Sequence, residues 1–151
     1  MAHRGSSAAA PENTMSAVKK AIEERADWVE IDVQETADGK VVVFHDSDFM
    51  KLAGVNLKIW NVTAADLKEI DIGSWFSAEY KNERVPTLGE VLDLCKGKIG
   101  VNIELKYYGH DQGGCQVDDL YTVEWAYIPL FYYYFYGYQY STSFTASTAL
   151  A

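Results

Sequence analysis

The chain has 151 residues, 48% hydrophobic and 23% charged, which is enough apolar material for one core without a disulfide framework. Thirteen Lys and Arg against 22 Asp and Glu leave a net charge of −9, which argues against nucleic acid as a partner. Its two cysteines, Cys95 and Cys115, form no metal-type pair and read as reduced thiols of an intracellular protein.

In chain order, Pro11, Asn13 and Thr14 precede Ala17, Val18, Ala21 and Ile22, whose spacing predicts a helix with one apolar face ending near Arg25. Residues 28–33 alternate with period two and predict a strand; residues 41–45 predict a second, after the turn Ala37-Asp38-Gly39. Thr63 caps a short helix through Leu67 and Ile70. Thr87 caps a longer one through Val91, Leu92 and Leu94 that stops at Gly97, and residues 99–105 form another strand. Strands alternating with helices, with charge at the strands' C-terminal ends, predict an α/β protein built on a parallel sheet or barrel, its site at that edge.

The composition changes between about residues 107 and 115. Ten of the eleven tyrosines lie from Tyr107 onward, the last basic residue is Lys106, and Gly113-Gly114 sits at the join. This divides the chain into residues 1–112 and an aromatic helical tail, 113–151. The most apolar stretch, 125–140, is interrupted by Pro129, Gly137 and Gln139 and is too short for a membrane span of about 20 residues. Met1 is followed at once by Ala-His-Arg-Gly, with no signal peptide visible. The expected location is the cytoplasm, with an interfacial membrane contact left open.

Glu30 and Asp32 stand two apart on a strand, so both project from one face. Such a pair alone is ordinarily a solvated surface. Glu104 repeats the pattern on a later strand, with Lys106 two positions on. Three carboxylates from two strand ends make an oxygen-ligand site suited to Mg²⁺ or Ca²⁺, with a lysine beside it for an anionic group. His3 and His45 each sit at a predicted strand end before a polar residue, where two imidazoles around one phosphodiester can serve as general acid and base. Arg4 offers a fork of donors that matches a pair of phosphate oxygens. His110 reads as a structural histidine.

Ala2-His3-Arg4-Gly5, Pro11-Glu12-Asn13-Thr14, Glu30-Ile31-Asp32, Asp38-Gly39, His45-Asp46, Pro86-Thr87-Leu88 and Ile103-Glu104-Leu105-Lys106 resemble, in order and spacing, the glycerophosphodiester phosphodiesterase family. The resemblance covers residues 1–112. It implies a TIM barrel with an insertion after the second strand, here about 47–84, and hydrolysis of glycerophosphodiesters to an alcohol and glycerol 3-phosphate. It further implies Glu30, Asp32 and Glu104 as metal ligands, His3 and His45 as the acid and base pair, Arg4 and Lys106 as phosphate contacts, and Glu12 as a supporting hydrogen-bond partner. The substrate's own glycerol hydroxyl is implied as the attacking group, through a cyclic phosphate later opened by water.

A TIM barrel needs about 250 residues. The expectation is therefore a partial barrel of roughly the first three strands, with exposed edges through which the chain self-associates. The segments 54–60 and 71–76 are similar to those of family members fused behind membrane-spanning modules. Residues 125–146 resemble the C-terminal helical stretch of oligoendopeptidase F-type zinc peptidases. No His-Glu-x-x-His accompanies them, so peptidase activity is not implied and the tail reads as an unrelated fragment. The rival reading is a non-catalytic fragment from a recombined reading frame that binds metal or phosphate, or self-associates.

Overall fold

The computed structural model describes residues 1–106 and 108; His110, Cys115 and the aromatic tail lie outside the described residues. The chain enters through a two-residue strand, β1 (Ala2–His3). Helix α1 (Met15–Glu23) follows, capped by the Thr14 hydroxyl, which accepts the Ala17 N–H at 3.2 Å, and it buries Ala17, Val18 and Ala21. Strand β2 (Trp28–Glu35) runs two residues past the predicted end and is buried on both faces. Val29, Ile31 and Val33 are core residues, and Glu30, Asp32 and Gln34 line the opposite face.

The turn after β2 leads into β3 (Val41–Val43), which lies antiparallel to β2 in the register Val33↔Val43. This strand is shorter than the predicted 41–45, and His45 falls just beyond it. The insertion then adds a small hairpin of β4 (Asp48–Phe49) and β5 (Val55–Lys58), joined through α2 (Met50–Ala53), which the alternation pattern did not predict. A 3₁₀ turn at Ile59–Asn61 leads to α3 (Ala64–Leu67), where Thr63 and Asp66 cap one another reciprocally. Phe44, Phe49, Leu52, Ile59, Leu67, Ile72 and Val85 give the insertion a core of its own, contiguous with Val42 of β3. A second 3₁₀ turn, Ala78–Tyr80, comes before α4 (Leu88–Cys95). Thr87 and Glu90 form its capping box, and Leu88, Val91, Leu92 and Cys95 are its buried face. Burial pushes the Cys95 thiol up to about 11, so it is an inert core group.

Strand β6 (Gly100–Leu105) closes the described chain and pairs with β2 in parallel. Val29 pairs with Ala2 on one side and Val101 on the other, while Val33 pairs with Val43 and Leu105. Thus β1 and β3 share one flank of β2, and β6 holds the other. The result is a mixed α/β sheet with three parallel strands and one antiparallel strand, open rather than closed into a barrel. Helix α1 packs on α4, which also covers β3 and β6. No helix among the described residues is long and apolar enough to cross a membrane.

Gly5 sets the turn between β1 and α1. Its φ is +81°, and a Cβ there would stand 2.6 Å from the Ala17 Cβ and 2.7 Å from its carbonyl carbon. Gly5→Ala therefore combines left-handed strain with overpacking and is expected to cost about 2 kcal/mol or more. Gly89→Ala, in α4 with nothing within 4 Å, is expected to be neutral or to stabilise by up to about 1 kcal/mol. Urea unfolding of both variants checks the contrast; equal midpoints would refute the tight turn.

Candidate functional site

Two non-glycine residues in left-handed backbone wrap the β1–α1 loop onto the acidic face of β2. Arg4 has φ 56°, and its backbone N–H donates to Glu30 Oε2 at 2.9 Å. Its guanidinium places Nε 3.3 Å from Asp32 Oδ2 and Nη1 3.2 Å from Glu12 Oε1. Asn13, also at φ 56°, clasps Asp32 from both sides. Its Nδ2 donates to Asp32 Oδ2 at 2.8 Å, and its Oδ1 accepts the Asp32 backbone N–H at 3.2 Å.

The parallel register pairs Asp32 with Glu104, which brings the third carboxylate alongside the first two. Glu30, Asp32 and Glu104 each offer an oxygen within 4.8 Å of the others. Lys106 Nζ lies 2.5 Å from Glu104 Oε1 and 3.3 Å from Asp32 Oδ1. Burial alone would lower its ammonium, but the hydrogen bond to Glu104 and the charge of Asp32 outweigh that and hold it above the usual lysine range. His3 Nε2 stands 3.7 Å from Glu30 Oε2, with its ring largely exposed.

Glu30 and Asp32 are buried; Glu30 Oε1 has no hydrogen bond, and Asp32 Oδ1 has the ion pair with Lys106. Burial lifts the Glu30 carboxyl above its ordinary value of 4.5, the Arg4 N–H opposes this, and the charge of Asp32 adds to it. A buried carboxylate oxygen without a hydrogen bond, Glu30 Oε1, in a set made only of oxygen donors, suits a hard divalent cation. The residues present therefore fit such an ion.

The structure gathers Arg4, Glu12, Glu30, Asp32, Glu104 and Lys106 into one cluster, with His3 at its rim. His45 is not part of that cluster's contacts; its Nδ1 hydrogen-bonds Asp46 Oδ1 at 2.6 Å. Glu12 accepts from Lys51 Nζ at 3.0 Å as well as from Arg4. Sequence reasoning gave no site role to Asn13, Gln34, Asp46, Lys51 or Tyr108. Gln34 was within reach, because the period of two that joins Glu30 to Asp32 continues to it. Lys51 carried no signal, standing 39 positions from Glu12.

Comparison with known proteins gives one consistent result. The sequence model of the glycerophosphoryl diester phosphodiesterase family matches residues 3–123, running past the change in composition at residues 113–114. A glycerophosphodiester phosphodiesterase of Caldanaerobacter subterraneus subsp. tengcongensis is 42% identical over 107 residues, covering 70% of this chain and 44% of that protein. A phosphodiesterase of Oleispira antarctica, solved with its product sn-glycerol-3-phosphate, is 41% identical with a TM-score of 0.67, covering 69% of this chain and 42% of that one. The glycerophosphodiester phosphodiesterase of Agrobacterium tumefaciens is 37% identical with a TM-score of 0.67, covering 70% and 46%. This chain thus spans less than half the length of these relatives. The peptidase likeness of the tail finds no support among the matches.

A cation at the three carboxylates stabilises the folded chain by mass action, about 2.7 kcal/mol at a hundred times its Kd. Mg²⁺ or Ca²⁺ is therefore expected to raise Tm, and Glu30→Gln to abolish the rise while leaving the metal-free protein unchanged or more stable. The direction follows from the raised carboxyl: without metal, its stability cost is absent below pH 4.5, grows as pH rises through the folded pKa, and is complete above it. Proton and cation compete, so the metal-induced rise shrinks as pH falls through that same folded value. A rise in Tm independent of Glu30 would remove the cation from this site.

Proposed function

The chain belongs to the glycerophosphoryl diester phosphodiesterase family, and on that premise we propose that it hydrolyses glycerophosphodiesters to an alcohol and glycerol 3-phosphate. The observation that carries the reading is the convergence of Glu30, Asp32 and Glu104 beside two cationic side chains. The product held by the Oleispira antarctica relative supports the same substrate class.

In this reading Glu30, Asp32 and Glu104 hold one divalent ion, Mg²⁺ or Ca²⁺. When bound, it offsets negative charge on the phosphoryl oxygens and the substrate hydroxyl. Lys106 and the guanidinium hydrogens of Arg4 that Asp32 and Glu12 do not occupy bind the remaining phosphate oxygens. Glu12, shared by Arg4 and Lys51, fixes the plane of that guanidinium. His3 and His45 exchange protons with the reacting oxygens. The base takes the proton of the glycerol hydroxyl as its oxygen bonds to phosphorus, and the acid protonates the departing alkoxide. Water then opens the cyclic phosphate with the proton transfers reversed, returning both imidazoles to their starting state.

A second reading is favoured by one observation: the outer edge of β6 has no strand partner among the described residues, and Leu105 is 46% exposed there. In that reading the chain keeps metal or phosphate binding and self-associates through its bare edge without turnover.

Release of glycerol 3-phosphate from glycerophosphocholine separates the two. Metal-dependent release is expected, lost with chelator and reduced roughly 10²-fold or more in His45→Ala. Concentration-dependent association, seen by sedimentation without release under any condition, would refute hydrolysis and leave the second reading.

A further inference from the structure

His45 lies two residues beyond β3, just after the last backbone bond to β2, from the Phe44 N–H to the Asp32 carbonyl at 2.9 Å; from there the chain is fastened at three successive carbonyls. Gln34 Nε2 donates to the Phe44 oxygen at 2.9 Å and to the Asp46 oxygen at 2.8 Å. The Tyr108 hydroxyl donates to the carbonyl between them, that of His45 itself. Each carbonyl of residues 44–46 therefore ends on a side-chain donor from another part of the chain, Gln34 of β2 or Tyr108 beyond β6. Carbonyl oxygens left unpaired in such a position would cost free energy, and a mobile turn would be the ordinary result.

Gln34 is suited to this by chemistry and by place. It is 4% exposed and stands on the same face of β2 as Glu30 and Asp32, at the next position of the period. Both partners are acceptors, so only the amide nitrogen can face them, and its two hydrogens match the two carbonyls. Glutamate or methionine at this position would have a similar length and nothing to donate. The two bonds bracket His45 on either side along the chain. The strand that carries two of the three carboxylates thereby also sets where the imidazole stands.

We propose that Gln34 is a positioning residue for His45, with the Tyr108 hydroxyl as its second fastening. This rests on the reading of His45 as a proton-transfer group. A side chain that holds a reacting group in a productive pose contributes to turnover without binding substrate, so its loss falls on kcat and spares KM.

The test uses the full chain with Gln34→Met, Gln34→Glu and Tyr108→Phe, and reads three quantities. The metal-induced rise in Tm reports the carboxylate cluster. The kcat and KM for glycerophosphocholine report turnover, and the ring signals of isotope-labelled histidine, with His45→Ala for assignment, report the imidazole. Gln34→Met and Gln34→Glu are expected to keep the metal response and KM, lower kcat about 10- to 100-fold, and shift or broaden the His45 signals while leaving His3 unmoved. Tyr108→Phe removes one hydroxyl from a partly exposed ring, so it preserves the fold and gives a smaller change of the same kind. Unchanged His45 signals in Tyr108→Phe and in every folded Gln34 variant overturn the proposal, as does loss of the metal response in those variants, which would make Gln34 a support of the carboxylates. A wild-type chain without turnover refutes the hydrolytic reading alone, because the His45 signals still decide the positioning.

Discussion

The six-residue parallel pairing of β2 with β6 is the constraint on which the site depends. Glu30, Asp32 and Glu104 repel one another, and two of them are buried, so the arrangement is unfavourable by its own electrostatics. It persists because the ladder fixes the register Asp32↔Glu104 and because Val29, Ile31 and Val33 are committed to the core on the other side of the same strand. A slip of one residue would turn both Glu30 and Asp32 into the apolar layer. Lys106 and Tyr108 arrive with β6, so the ammonium facing Asp32 and the hydroxyl on His45 are products of the same pairing.

The cost of holding these acids is met locally by backbone in an uncommon conformation. Arg4 and Asn13 both have φ 56°, a region that disfavours ordinary side chains by roughly 1–2 kcal/mol. In each case the departure supplies donors to a buried carboxylate: the Arg4 N–H reaches Glu30, and the Asn13 amide reaches Asp32. Charge-assisted hydrogen bonds of this kind are stronger than neutral ones and offset the strain. Asparagine tolerates the left-handed region better than most residues, which suits it to the second position. For Arg4, the gain is that one residue contributes both its backbone and its guanidinium to the acidic cluster.

Much of this was legible in the chain because the relevant signals are local. Thr14, Thr63 and Thr87 announce three helix starts, and each accepts the backbone N–H three residues on. The alternation of 28–33 gives β2 its two faces, and the acids at 30, 32 and 104 stand together as their spacing implied. The hairpin of β4 and β5 was illegible, since a two-residue strand has no measurable period. The antiparallel direction of β3 departs from the expected parallel sheet, and its cause is local: the connection from Glu35 to Val41 is too short for the crossover that a parallel pair needs. Contacts such as Lys51 with Glu12, or Tyr80 with the Ala9 carbonyl, join the insertion to the β1–α1 loop across 39 and 71 positions. No short motif encodes them, because they follow from how the insertion's own core seats it against the sheet.

The three carboxylates are unequally supported, and this bears on what the open sheet can do. Glu30 and Asp32 belong to a strand with neighbours on both flanks, and Asn13 and Arg4 fix their oxygens. Glu104 belongs to a strand with one neighbour among the described residues, and its side chain is 52% exposed, held by Lys106 alone. A cation at this site would thus meet two preset ligands and one that must be ordered at the time of binding, losing the side-chain entropy involved. Any strand that paired with the outer edge of β6 would restrict Glu104 before the ion arrives and would cover Leu105 and the partly exposed Ile103. Closure of the sheet and binding of a cation at these carboxylates would therefore be coupled through one side chain, each favouring the other.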